Sequence, residues 1–239
     1  IVGGHTASGY WVDTKRATTI EGLYAAGDVA GGAPQKYVTG ALAEGEIAAK
    51  SAVEYVKGLS ALRQAQGSSA PGANLLEKIS EEEVTEHVAE IEKFLSKRGG
   101  NTEEARNESV EHLEEAMQTV MDTYAGGIKT GYCYSENQLA VALKEIEKIE
   151  TRVGDLRAAD LQEVMFIYEL KERLTVCKSV IAHLAARHET RWHSFAENLD
   201  YPEKDNVNFR KYVNSRLENG EIKIILRELT AEGQRNYEH

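Results

Sequence analysis

The chain has 239 residues, of which 41% are hydrophobic and 28% are charged, and that length can bury the core of one or two domains. Its net charge of −11 argues against nucleic-acid binding, which needs clustered cations to neutralise phosphates. No apolar run approaches the roughly 18 residues of a membrane span, and the first residues lack a signal-peptide pattern. The two cysteines, Cys133 and Cys177, form no CxxC pair, so we predict a soluble, cytoplasmic protein without disulfides.

Residues 1–58 have a mixed α and β pattern. Gly9–Val12 is β-prone, and Thr18–Ala26 is a second strand candidate that is interrupted at Glu21-Gly22. A glycine-rich stretch follows, and the pattern then changes to that of a helix over Gly40–Val56, with small apolar residues on one face. Small side chains allow a helix to pack closely on a sheet.

The middle of the chain predicts a helical bundle over residues 80–196, after a linker over residues 59–79 that contains the Gly- and Ser-rich QGSSAPG sequence. Apolar side chains recur there every three or four residues, which gives each helix one buried face. The predicted helices are Ser80–Lys97, Thr102–Tyr124, Ser135–Val153 and Ala159–Arg187. We expect the last of them to be central, because Met165, Val176 and Val180 broaden its apolar face.

Residues 197–239 form a C-terminal extension. Phe209–Arg216 and Glu221–Leu229 are β-prone, and between them lies Asn219-Gly220, a dipeptide typical of two-residue hairpin turns. The sequence therefore predicts a mainly α fold with a small α/β part at the start, then a helical bundle and a terminal β-hairpin.

One segment, Gly22–Glu44, carries a pattern that suits a nucleotide or flavin. Asp28, at a predicted strand end, can accept hydrogen bonds from sugar or ribityl hydroxyls, and the glycines around it allow a close approach of backbone to ligand. The N–H groups at the start of the next helix would favour negative charge. The candidate cofactor-binding residues are Gly27, Asp28, Gly40, Ala41 and Leu42. A plain strand–loop–helix connection with a capping aspartate remains the alternative.

Two motifs resemble the flavoprotein family of fumarate reductase and succinate dehydrogenase. The first is GLYAAGD at Gly22–Asp28, followed by LAE at Leu42–Glu44; the second is AARHETR at Ala185–Arg191, followed by DYPEKD at Asp200–Asp205. The resemblance implies FAD as the cofactor and residues 1–58 as the C-terminal part of an FAD-binding domain. It also implies that the dinucleotide-binding GxGxxG motif lies before Ile1, so that this chain alone is an inactive fragment of the enzyme.

Within that group, details of the motifs are more similar to the adenylylsulfate reductase flavoprotein subunit. Lys36 stands where the dicarboxylate enzymes usually have an arginine, and a lysine binds an anion as a point charge without forming a planar clamp. His5 follows Gly3-Gly4, and in that branch such a histidine lies near the flavin. The resemblance thus gives His5 and Lys36 as candidate catalytic residues. The alternatives are a loop histidine bonded to backbone and an ordinary solvated lysine.

The resemblance predicts an FAD-dependent reductase acting on a small anionic substrate. Two cysteines cannot ligate an iron–sulfur cluster, so the cluster that such flavoproteins work with would belong to a partner subunit. No metal site is expected, and we expect His188, Arg191 and His193 to make structural hydrogen bonds to the flavin domain. One alternative is a dicarboxylate-specific fumarate reductase or succinate dehydrogenase. An alternative of another class is a non-catalytic helical interaction module.

Overall fold

The computed structural model describes residues 8–31, 37–65, 80–96, 108–191 and 196–229. The described residues fall into two compact units, the first ending at Ser80 and the second running from Glu81 to Leu229. The domain boundaries expected at residues 58, 79 and 196 stay predictions. Among the described residues, no helix combines the length and apolar character that crossing a bilayer requires.

The first unit contains short β-bridges and one long helix. Tyr10 pairs in parallel with Ala30, while Val12–Thr18 and Ala17–Tyr24 are antiparallel bridges, so the two predicted strands are reduced to single paired residues. A 3-10 turn, Gly27–Val29, leads towards helix α1, Val38–Ala65. The helix continues nine residues past the predicted end, because the good helix formers after Gly58 offset the roughly 1 kcal/mol that an interior glycine costs.

Four helices make up the bundle of the second unit: α2 (Glu81–Ser96), α3 (Val110–Tyr124), α4 (Glu136–Val153) and α5 (Leu161–Ala186). Side chains cap three of them. The hydroxyl of Ser109 accepts the His112 N–H, the hydroxyl of Ser135 accepts the Gln138 N–H, and the Asp160 carboxylate accepts two N–H groups. Helix α3 therefore starts after Ser109 rather than at Thr102; residues 102–107 of the predicted helix lie outside the described residues.

The core of this unit lies between α3, α4 and α5, with Phe94 of α2 added at one side. Fully burying a side chain such as Leu or Ile contributes about 1.5–3 kcal/mol. The buried members from the three helices are Leu113, Met117, Leu139, Ala142, Ile146, Ile149, Val153, Val164, Ile167, Leu170, Leu174 and Ile181. The predicted apolar face of α5 is broader than the face that is buried in the structure. Met165 is 52% exposed, Val176 is 60% exposed, and Val180 is exposed as well.

Two small sheets complete the second unit. Strands β3 (Lys211–Glu218) and β4 (Glu221–Glu228) form the predicted antiparallel hairpin, and positive φ angles at Asn219 and Gly220 are those of a type I′ turn. The parallel pair of β1 (Cys133–Tyr134) and β2 (Glu197–Asn198) was not predicted. The mainly helical fold with small sheets confirms the predicted fold class.

Candidate functional site

The turn at Gly27 has a geometry that only glycine adopts without strain. Its φ is +71°, and a Cβ built on it would lie 3.3 Å from the Cβ of Ala41 in the first turns of α1. Gly27 is buried, and its carbonyl accepts the Ala30 N–H at 3.0 Å to close the 3-10 turn. The turn therefore packs directly on the start of the helix, and a side chain at Gly27 would be tight against Ala41.

Glu44 fastens this turn to the helix. It is only 4% exposed, and its Oε2 accepts the Gly27 N–H at 2.8 Å. Its other oxygen lies 3.5 Å from Nη2 of Arg16, so the buried carboxylate has a cationic partner. Sequence reasoning used Glu44 only as the last letter of the LAE motif and missed this contact. The sequence did contain a signal for this contact. A glutamate among small apolar residues of a helix needs a hydrogen-bond or ionic partner when its carboxylate is buried.

The backbone before the turn also approaches it closely. The Tyr10 N–H donates to the Val29 carbonyl at 2.7 Å, and the Gly31 N–H donates to the Tyr10 carbonyl at 2.8 Å. A Cβ on Gly9 would lie 2.6 Å from backbone atoms of residues 29–31. Two glycine-containing segments thus lie side by side, and both sides of the Gly27–Val29 turn have fixed positions.

The predicted cofactor residues occupy different positions around the turn. Gly27 is buried and Asp28 is exposed beside it. Because α1 begins at Val38, Gly40 lies in the first turn, whereas the Ala41 N–H already donates to the Tyr37 carbonyl at 2.8 Å and Leu42 follows it inside the helix. The helix-start N–H groups are therefore those of residues 38–40, not 40–42. His5 and Lys36 lie outside the described residues.

Several features around this turn are compatible with a flavin. The first-turn N–H groups of α1 have no acceptor within the helix, and the positive end of the helix dipole favours an anionic edge. Asp28 supplies carboxylate oxygens beside a turn where backbone packs closely. Large apolar side chains are exposed in the same unit: Tyr10, Val29, Tyr37, Val38 and Leu42. These residue types are compatible with a partly anionic cofactor.

A second polar cluster surrounds Glu189, just after α5. The side chain of Glu189 is fully buried, and Arg187 and Arg191 donate to Oε1 at 2.6 and 2.7 Å. Arg191 also donates to Oε2 at 2.8 Å, and the Asp205 N–H donates to Oε2 at 2.9 Å. Burial alone would raise the pKa of Glu189, but these hydrogen bonds outweigh it and hold the pKa below its ordinary value.

The arginines of this cluster position the loop before the hairpin. Arg187 donates to the carbonyls of Phe209 and Lys211, and Arg191 donates to the Asn206 side chain and the Asp205 carbonyl. These partners all belong to the second unit. The role seen for Arg191 is thus structural, and His193 lies outside the described residues.

The histidine of the second motif has aromatic and acidic neighbours. The ring of His188 stacks on Tyr201, with centroids 4.6 Å apart and planes 14° apart, and its Nε2 lies 3.4 Å from Glu136. In the part of the chain that the structure describes, no group of three or more His, Cys, Asp or Glu side chains could hold a metal ion. The motif therefore organises the end of the bundle through stacking and hydrogen bonds.

Comparison with known proteins supports the resemblance to this flavoprotein group. The chain is 25% identical over 213 residues to the adenylylsulfate reductase subunit alpha of Megalodesulfovibrio gigas, covering 84% of this chain. It is 24% identical over 216 residues to the fumarate reductase flavoprotein subunit of Haemophilus influenzae, covering 87% of this chain. Its fold matches the adenylylsulfate reductase structure from Archaeoglobus fulgidus with a TM-score of 0.73 and 28% identity over 93% of this chain.

The matches cover only part of those proteins. The chain spans 29% and 32% of the two sequences and 34% of the chain in the solved structure. The family model described as fumarate reductase flavoprotein C-term matches residues 114–237, more than half of this chain. The chain therefore belongs to the fumarate reductase flavoprotein C-terminal family.

Proposed function

We propose that the chain is the C-terminal portion of an FAD-dependent oxidoreductase that reduces a small anionic substrate, as an adenylylsulfate reductase does. Membership of the family supports the oxidoreductase class, and the matched relatives include an adenylylsulfate reductase at 28% identity. One observation carries the flavin assignment: the buried Glu44 holds the Gly27 N–H, and so fixes a glycine turn against the start of α1.

Each described residue of this site has a separate part in the proposal. Glu44 and Arg16 keep the turn in place, while Asp28 accepts hydrogen bonds from the ribityl hydroxyls. The N–H groups of residues 38–40 stabilise negative charge on the flavin, since they lie at the positive end of a helix. FAD, when bound, would supply the redox chemistry, and the protein supplies orientation and electrostatics.

The substrate residues of the proposal come from the sequence resemblance. Lys36 attracts the anionic group of the substrate as a point charge, and His5 contacts the substrate as a hydrogen-bond donor or proton donor. The adenylylsulfate reductase relative supports a sulfur oxyanion as substrate. The fumarate reductase relative, at nearly the same identity, supports a dicarboxylate as the second candidate.

An iron–sulfur protein subunit completes the proposal as the electron donor, in keeping with the family resemblance. The cytoplasm is the proposed location. A helical interaction module without a cofactor is the competing function, and its support is the four-helix bundle of the second unit. The two functions differ in a simple observable, because only the first requires the protein to be yellow.

The flavin assignment is tested by flavin content in the intact protein that contains this chain. Asp28→Ala is expected to weaken FAD binding about tenfold or more, since a hydrogen bond to a charged group contributes roughly 1.5–3 kcal/mol. Glu54→Ala, an exposed carboxylate further along α1, is the matched control and should retain flavin. Equal flavin content in both variants would remove Asp28 from the site, and a colourless wild-type protein would favour the interaction module.

A further inference from the structure

Helix α2 is covered along only half of its length. Phe94 is 3% exposed, and Ile91 and Leu95 pack against the core of the second unit. Residues 81–89, by contrast, are all exposed. The first two turns of α2 therefore project beyond the bundle that anchors the rest of the helix.

The projecting half continues the apolar stripe of the anchored half. Val84, Val88, Ile91 and Leu95 follow one another at spacings of four, three and four, which places them on one face of the helix. Val84 is 50% exposed and Val88 is 46% exposed, although the same line of side chains is covered at Ile91 and Leu95. The spacing is that of a helix–helix seam, and half of this seam has no cover within the described residues.

The anchored half holds this surface in a fixed position. The Ala158 N–H donates to the Phe94 carbonyl at 3.1 Å, and the rings of Phe94 and Tyr168 meet edge to face. Lys171 of α5 donates to Glu90 at 2.7 Å. A partner that binds the stripe would not have to order the helix first, which lowers the entropic cost of binding.

Charge restricts what can bind there. Helix α2 carries six glutamates and a single lysine. By helical position, Glu81 and Glu92 border the stripe on one side, three residues from Val84 and four from Val88, and His87 borders it on the other. A second copy would bring together two helices that each carry this excess of glutamates, so the surface disfavours self-association. A helix with lysines or arginines beside its own apolar seam would complement it.

We propose that the exposed half of α2, from Glu81 to Ala89, is a docking surface for a basic amphipathic helix of another protein chain. Val84 and Val88 form the apolar contact, and Glu81 and Glu92 select a basic flank on the partner helix. This inference goes beyond the proposed oxidoreductase function and does not depend on a bound flavin.

The test uses the intact protein and a pair of designed probes. Both are three-heptad peptides with leucine at the seam positions; one has lysine on its flanks and the other glutamate. The lysine peptide is expected to bind, with an affinity that falls as salt is added. Val84→Ser/Val88→Ser should weaken that binding about tenfold. Val141→Ser, at an exposed apolar position of α4, is the control and should bind normally.

Replacing the flanking glutamates by lysines provides a second test. Glu81→Lys/Glu92→Lys should weaken binding of the lysine peptide and reduce its preference over the glutamate peptide. Circular dichroism and thermal melting of each variant show that it is folded, which is expected because all substituted positions are exposed.

Four results would overturn the proposal. The first is equal binding of the two peptides, and the second is unchanged peptide binding after the valine substitutions. The third is a wild-type dimer that dissociates when Val84 and Val88 are replaced by serine, because the occupant would then be a second copy of this chain. The fourth is protection of Val88→Cys from a thiol reagent in the intact protein without peptide, read at that residue by mass spectrometry. That protection would show that the protein's own polypeptide covers the stripe.

Discussion

The Gly27 N–H donates to a buried carboxylate oxygen of Glu44, and the two atoms are 2.8 Å apart although the residues are 17 positions apart in sequence. This contact joins the turn that follows the β-bridges to the first turns of α1. In the proposed enzyme it fixes both the carboxylate of Asp28 and the helix start that would face the flavin.

Removing the carboxylate should therefore loosen the site. Glu44→Ala leaves the Gly27 N–H and Arg16 without this buried acceptor, which costs about 1–3 kcal/mol. The intact variant is expected to retain less FAD, measured as flavin absorbance per protein. Glu44→Gln, which keeps an oxygen acceptor, should lose less. Glu46→Ala removes only an exposed partner of Lys50, and a similar flavin loss there would refute the role of Glu44.

Two glycines of the first unit should respond to alanine in opposite directions. Gly27→Ala forces a side chain to φ +71° and brings its Cβ to 3.3 Å from that of Ala41, which costs about 1–2 kcal/mol or more. Gly58→Ala lies in the interior of α1 with open space around it, and should stabilise the helix by about 0.5–1 kcal/mol. Thermal melting of both variants measures this, and the same sign for both would contradict the described backbone.

The cluster around Glu189 should contribute to stability at neutral pH. Glu189→Ala leaves two partly exposed arginines and the Asp205 N–H without this acceptor, and should cost on the order of 3 kcal/mol. Urea unfolding of the 239-residue chain at pH 7 measures that cost. The control is Glu203→Ala, which removes an exposed carboxylate from the same loop and should have little effect.

The lowered pKa of Glu189 also predicts that the protein becomes less stable in acid. Because the folded pKa of Glu189 lies below the ordinary value of 4.5, its contribution is fully present above that value and is lost as the pH falls through the folded pKa. Wild-type unfolding free energy should therefore decline with falling pH more steeply below about pH 5 than that of Glu189→Gln. Parallel pH profiles for the two proteins would contradict the lowered pKa.

The environment of His183 predicts a second pH effect, on the stability of the β3–β4 hairpin. Its Nε2 lies 2.9 Å from the Ser215 hydroxyl of β3, and burial, with the nearby Arg187, lowers the pKa of His183 below 6.5. The folded state therefore resists protonation, so its stability falls as the pH drops below about 6.5. Hydrogen exchange of β3 and β4, corrected for intrinsic rates, should show weaker protection at low pH. His183→Gln should lose most of that dependence, and a wild-type hairpin insensitive to pH would refute the effect.

Local signals predicted much of the fold correctly. Asn219-Gly220 predicts its hairpin because a type I′ turn needs positive φ at both residues. The starts of α4 and α5 could be predicted within about two residues, because Ser135 and Asp160 are strong N-caps. The long-range features could not be predicted. The β1–β2 pair is only two residues long on each strand, and neither strand has an alternating pattern to reveal it.

In the candidate site, too, local features could be predicted from the sequence and long-range contacts could not. Gly27 and Asp28 are visible in the sequence as a glycine turn, whereas the role of Glu44 depends on a partner far away in the chain. Glu189 likewise needs the Asp205 N–H, 16 positions away, to complete its set of donors. A buried carboxylate is recognisable only when its partners are known, because sequence spacing contains no information on what folds against it.

The most direct test of the proposed activity is single-turnover reoxidation of the intact protein's reduced flavin. The flavin is reduced anaerobically, mixed with adenylyl sulfate or fumarate, and followed by its visible absorbance. Rapid reoxidation by adenylyl sulfate alone, slowed strongly by Lys36→Ala, is the predicted result. Reoxidation by fumarate alone would contradict the sulfur-oxyanion assignment and support the dicarboxylate alternative, and a protein without flavin would contradict the oxidoreductase account itself.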